Sequence, residues 1–133
     1  MKNDIAAIGN ALVDTVFKVP HELITELGLE IDQMTLSSAE EHAPIIKRLI
    51  DSGADTISDC GGSATNSLVA AASFGASCFH VCKVSDDEDG ERYLNSLKDA
   101  GVSHGGLMAK ADSVPTGKCL ILVTPDAKRT MTT

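Results

Sequence analysis

The run Cys60-Gly61-Gly62-Ser63-Ala64-Thr65-Asn66-Ser67 holds the residue types best suited to gripping a small polar ligand. Two adjacent glycines let a main chain turn tightly and bring its backbone groups against a ligand. A strand-like stretch precedes them and small residues follow, so the pair sits where a helix opens. The first N–H groups of a helix have no partner within it and favour an oxygen-rich or anionic ligand. The same two glycines can also serve as a purely steric turn, so the motif needs support from its surroundings.

Other candidate groups carry less. Ser85-Asp86-Asp87-Glu88-Asp89 could ligate a metal, but it also reads as a solvated loop whose carboxylates sit at a positive helix N-terminus. Cys60, Cys78, Cys82 and Cys119 form no Cys-x-x-Cys pair and have no histidine at zinc spacing. They read as buried thiols of a reducing compartment, with Cys78 and Cys82 on one face of a strand. Thr116-Gly117-Lys118 is not a phosphate loop, because Asp112 stands where its first glycine belongs and Cys119 where Ser or Thr is required. A net charge of −8 argues against a nucleic-acid partner. No apolar stretch is long enough to cross a bilayer, and Met1 to Gly9 does not read as a secretory signal. The expected location is the cytoplasm.

The elements that must position the double glycine follow from periodicity. With no Trp, one Tyr and three Phe, the core has to be aliphatic. Ile5 to Ile8 suits a buried strand, and Leu12 to Val19 a strand with one wet face that Pro20 ends. His21 to Leu27 reads as a short helix. Ser37 to Ser52 is the clearest helix: Ser37 or Ser38 can cap it, Glu40 and Glu41 suit its first turn, and Ile45, Ile46, Leu49 and Ile50 recur at helical spacing. Pro44 is discordant unless it lies in the first turn or kinks the helix. Asp55 to Cys60 is a strand entering the double glycine, and Ala64 to Phe74 a helix of small side chains. Ser77 to Val84 is an apolar strand, and Asp89 to Ala100 a helix with Tyr93, Leu94 and Leu97 on one face. Leu107 to Ala111, Gly117 to Thr124 and Arg129 to Thr133 read as strands, the last two joined by the turn Pro125-Asp126-Ala127-Lys128. This alternation predicts an α/β sheet with helix crossovers.

Three segments together resemble the ribokinase and adenosine-kinase family, the PfkB carbohydrate kinases. Ile8-Gly9-Asn10-Ala11-Leu12-Val13-Asp14 is similar to its first strand and substrate loop. Gly61 to Ser67, with Ala70-Ala71-Ala72-Ser73-Phe74-Gly75-Ala76 and then Gly90, resembles its N-terminal signature. Leu122 to Met131 resembles its paired strands joined by a Pro-Asp turn. The segments run in family order over nearly the whole chain. Cys82 and Ser85 depart from the pattern, since many relatives have glycine at both places.

The resemblance implies part of a ribokinase-like three-layer sheet with helix crossovers, plus a small β-sheet lid made by strands near 12–19 and 107–133. It implies that Asp14 accepts hydrogen bonds from two hydroxyls of a sugar, with Asn10 nearby, Gly61 and Gly62 presenting backbone, and Asn66 bonding a further hydroxyl. Bland readings stand beside these: a strand-end carboxylate for Asp14, a local hydrogen bond for Asn66, and an exposed charge for Arg129. The lid would exclude water, and in several relatives it also makes a dimer contact.

The family's catalytic turn, Gly-Ala-Gly-Asp-like at a helix start, is not found in the chain. Ser52-Gly53-Ala54-Asp55 follows a helix and enters a strand, the wrong context. The expectation is therefore the N-terminal portion of an ATP-dependent kinase that phosphorylates a primary hydroxyl of a sugar or nucleoside. ATP and Mg2+ would serve the complete family enzyme and bind poorly to these 133 residues alone. No catalytic and no metal-binding residue is assigned. An uncovered sheet edge would favour a homo-oligomer. The alternative is a non-catalytic sugar- or nucleoside-binding or self-assembling module. A dinucleotide-binding domain is disfavoured, because no Gly-x-Gly-x-x-Gly follows a strand.

Overall fold

A computed structural model describes residues 2–110 and 114–133. Their elements run β1 (Ile5–Ile8), β2 (Leu12–Lys18), α1 (His21–Glu26), β3 (Met34–Thr35), α2 (Ala39–Asp51), β4 (Thr56–Gly61) and α3 (Ser63–Ser73). Then come β5 (Cys78–Val81), β6 (Lys83–Ser85), α4 (Glu88–Asp99), β7 (Val102–His104), β8 (Leu107–Ala109), β9 (Gly117–Val123) and β10 (Arg129–Thr132). The chain divides into two compact units, one of Met1–Val13 and Asp59–Gly117, the other of Asp14–Ser58 and Lys118–Thr133.

The first unit is built on the parallel sheet β1-β5-β7, with Ile5 opposite Cys78 and Cys78 opposite Val102. Parallel neighbours need a crossover, and α3 and α4 supply it. The small face of α3, including Ala71 and Ala72, packs with Leu68 and Val69 into a core that also holds Val13, Val84, Tyr93, Leu97 and Val102. Asp87 caps α4, its carboxylate accepting the Gly90 N–H at 2.7 Å. The acidic run is thus a helix start, and no group of three or more metal-ligating side chains comes together among the described residues.

Two readings of this unit need correction. The single strand expected over Ser77 to Val84 is two, broken at Cys82, which faces a break between β7 and β8 where Gly105 and Gly106 stand. Pairing continues across the gap, with Gly105 N–H bonded to the His80 carbonyl and Leu107 N–H to that of Cys82. The strand at 107–109 pairs in parallel with β6 in a two-stranded sheet, so the tail strands expected to share one lid sheet fall in two different sheets. Ala111, the expected end of that strand, lies outside the described residues, as does Asp112.

The second unit carries a five-stranded sheet in the order β3-β10-β9-β2-β4. β9 and β10 are antiparallel, with Val123 opposite Arg129, and the turn between them is closed by Ala127 N–H to the Thr124 carbonyl. Phe17, Val19, Leu120 and Leu122 pack with Leu23 and Ile24 of α1 and Leu49 of α2. Ser38, rather than Ser37, caps α2, in a reciprocal box with Glu41. Pro44 lies past the first turn and inside the helix. It faces solvent, where water can satisfy the carbonyl that its missing N–H leaves open.

His42 of α2 is buried, with Nε2 3.1 Å from the Thr132 hydroxyl. Burial holds its pKa below the usual 6.5, assisted by the charge of Lys118 and opposed by Glu41. A depressed folded-state value means that the unfolded chain binds the proton more readily. Its contribution to stability is complete above pH 6.5 and declines as pH falls through the lower folded value. His42→Gln is therefore expected to lose less stability than the parent between about pH 7.5 and about pH 5.5 in urea titrations. Identical pH slopes would show that His42 does not titrate as described.

Candidate functional site

The double glycine turns as its sequence demands. Gly61 ends β4 and is buried, while Gly62 is the N-cap of α3 at φ +99° and ψ 145°. A Cβ on Gly62 would stand 2.7 Å from the carbonyl oxygen of Asn10. The glycine is thus needed twice, for its dihedral and for the close passage of the β1–β2 connection. Asn66 lies in the first turn of α3 with an exposed side chain, its N–H bonded to the Gly62 carbonyl at 2.9 Å. Asn10, also exposed, follows the end of β1. Asn10, Gly61, Gly62 and Asn66 therefore come together in the first unit.

A cavity of about 560 Å³ adjoins Asn10, walled by Leu12, Val81 and Leu107, with Ser85 and Thr116 among its polar groups. Its rim is held by Asp87, which accepts both the N–H and the hydroxyl of Thr116, at 2.8 and 2.7 Å. Thr116 Oγ1 in turn accepts the Ser85 N–H at 2.9 Å. That hydroxyl is fully engaged and not available to a phosphate, in keeping with the exclusion of Thr116-Gly117-Lys118 as a phosphate loop. Ser85, one of the two departures from the family pattern, is buried and donates its own hydroxyl to the Val114 carbonyl.

Asp14 belongs to the second unit, half-buried on β2. Its carboxylate acts on Cys119 of β9, whose thiol pKa is pushed up to about 11, first by burial and then by Asp14, against the opposing charge of Arg129. Arg129 is thus electrostatically coupled to this part of the sheet, although its side chain is exposed. Burial also raises the thiol pKa of Cys60 and Cys82. All four cysteines are buried and unpaired, which makes them poor nucleophiles. One buried group escaped the sequence reading: Thr65, His80 and Tyr93, hydrogen-bonded beneath the α3 turn. Their only sequence signal is that each is a polar residue within an apolar pattern.

The α/β architecture and this turn are those of the ribokinase-like fold. A family model for pfkB family carbohydrate kinases matches residues 31–133, and the chain belongs to that family. An adenosine kinase from Sinorhizobium meliloti is similar over 99% of this chain and 39% of its own, with a TM-score of 0.86 and 29% identity. A probable sugar kinase from Rhizobium etli gives 0.85 and 25%, over 98% of this chain and 38% of that one. An adenosine kinase from Anopheles gambiae gives 0.80 and 27%, over 96% and 39%. The chain spans about two fifths of the length of these relatives. No curated protein sequence matches it. The family is one of ATP-dependent kinases acting on sugars or nucleosides. No helix among the described residues is long and apolar enough to cross a membrane.

Proposed function

We propose that these 133 residues are the acceptor-binding, N-terminal portion of a cytoplasmic ATP-dependent sugar or nucleoside kinase. The observation that carries this reading is the turn in which Gly62 passes against Asn10, with Asn66 exposed one helical turn on. Asn10 and Asn66 would bond hydroxyls of the acceptor, and Gly61 and Gly62 would bring main chain to it. Asp14 would accept two hydroxyl protons in hydrogen bonds. The strands near 12–19 and 117–133 would act as the lid, excluding water from the acceptor. ATP would supply the phosphoryl group and Mg2+ would neutralise its charge. The described residues do not fit either one, since Thr116 is engaged and no metal-ligating cluster forms. ATP and Mg2+ would serve the complete family enzyme.

A second reading, a non-catalytic binding or self-assembling module, is favoured by exposed apolar side chains. Ile8 is 83% exposed, Ile57 on the β4 edge 72% and Phe74 91%. Self-association would cover them. The deciding experiment combines the purified chain with ATP, Mg2+ and a panel of sugars and nucleosides, following both phosphoryl transfer and thermal shift. Acceptor-dependent stabilisation without turnover is expected. Turnover would place a catalytic base within this chain and overturn the assignment, whereas oligomers with no acceptor response would support the second reading.

A further inference from the structure

Helix α3 opens without the usual anchor. Its N-cap is Gly62, and no side-chain cap bond is made there. An N-cap side chain ordinarily accepts the N–H of the second or third helical residue and holds the first turn in place. The α3 turn is instead held from its buried side. The hydroxyl of Thr65 lies 2.6 Å from that of Tyr93 on α4 and 3.2 Å from Nε2 of His80 on β5. Nδ1 of His80 lies 3.3 Å from the carbonyl of Ala7 on β1. All three side chains are fully buried.

The chemistry of these groups fixes the direction of the chain. A carbonyl only accepts, so Nδ1 of His80 carries the proton, and in the neutral ring Nε2 accepts from Thr65. The Thr65 oxygen then accepts from Tyr93. The chain ties α4, α3, β5 and β1 together beneath the turn.

We propose that Thr65, Tyr93 and His80 are positioning residues for the acceptor-binding turn, doing from inside the fold what an N-cap does from outside. The consequence is functional. With no side-chain cap at Gly62, the position of the turn that carries Gly62 and Asn66 depends on these buried bonds. The inference rests on the acceptor-binding reading above.

The test uses adenosine and ribose as probes, with calorimetric binding measured well below the unfolding temperature of every variant. Thr65→Val and Tyr93→Phe, each removing a hydroxyl with little change of shape, are expected to weaken binding about fivefold to tenfold. Thr65→Ser is expected to bind as the parent does. In parallel, amide exchange at Asn66 should accelerate in Thr65→Val relative to Val102 in the parallel sheet. Unchanged affinity with only a lower melting temperature would make the network purely structural and overturn the proposal. If the parent binds neither probe, the acceptor reading fails on its own. Exchange then decides the anchor: selective acceleration at Asn66 supports it, and uniform or absent acceleration overturns it.

Discussion

Gly62→Ala is expected to destabilise the chain far more than Gly75→Ala, although the two glycines have nearly the same positive φ, +99° and +93°. At Gly75 nothing lies within 4 Å of an added Cβ, so the substitution meets backbone strain alone. That strain is worth about 1–3 kcal/mol. At Gly62 the added carbon also meets the Asn10 carbonyl at 2.7 Å. Main chain cannot rotate away as a side chain can, so the overlap adds about 1–3 kcal/mol. Urea midpoints for the two variants, with unchanged slopes, would give the difference directly. Equal losses would mean that the β1–β2 connection does not pass against the turn, and the geometry that joins Asn10 to Gly62 would be wrong. Acceptor binding should suffer in Gly62→Ala as well, since relieving the overlap moves both partners.

Asp14→Ala is expected to abolish measurable acceptor binding while leaving the fold in place. Each hydrogen bond from a hydroxyl to an ionised carboxylate contributes about 1.5–3 kcal/mol. Losing two weakens binding by about a hundredfold or more. Asp14 is half-buried on β2 and outside the apolar core clusters, so the variant is compared with the parent at temperatures where both are folded. The thermal shift that an acceptor produces in the parent, each protein referred to its own ligand-free melting temperature, should vanish in the variant. The same variant carries its own check on placement. Cys119, held up near pKa 11 partly by Asp14, should titrate lower once that carboxylate is gone. A Cys119 pKa that stays put would mean that Asp14 points elsewhere. A lowered pKa with acceptor binding intact would leave Asp14 the bland role of a strand carboxylate.

Local chemistry made several elements readable. Helix α2 announces itself through Ser38, Glu41 and the spacing of Ile45, Ile46 and Leu49, all of which act within a few residues. Helix α4 follows from the carboxylates at its start and from Tyr93 and Leu97 on one buried face, although it opens at Glu88 under an Asp87 cap rather than at Asp89. The strands were less legible where partners decide them. Val102–His104 is three residues long and follows a helix stop, so no alternation marks it, yet it completes the parallel sheet. Met34–Thr35 exists as a strand only through its pairing with β10. The apolar run from Ser77 to Val84 gave no hint of its break at Cys82, because the interruption lies opposite glycines more than twenty residues later.

The candidate site divides along the same line. The amino-acid sequence alone determined that a backbone turn follows β4, that a small-residue helix opens there, and that the chain resembles the pfkB carbohydrate kinases, because glycine dihedrals, caps and motif order are written locally. Only the tertiary structure decided why Gly62 tolerates nothing larger, which strand takes residues 107–109, and what anchors the uncapped helix. Each depends on a contact between residues far apart in the chain: Asn10 with Gly62, Val84 beside Met108, and Thr65 with His80 and Tyr93. Periodicity can place such residues on a buried face, but it carries no record of the partner they meet there.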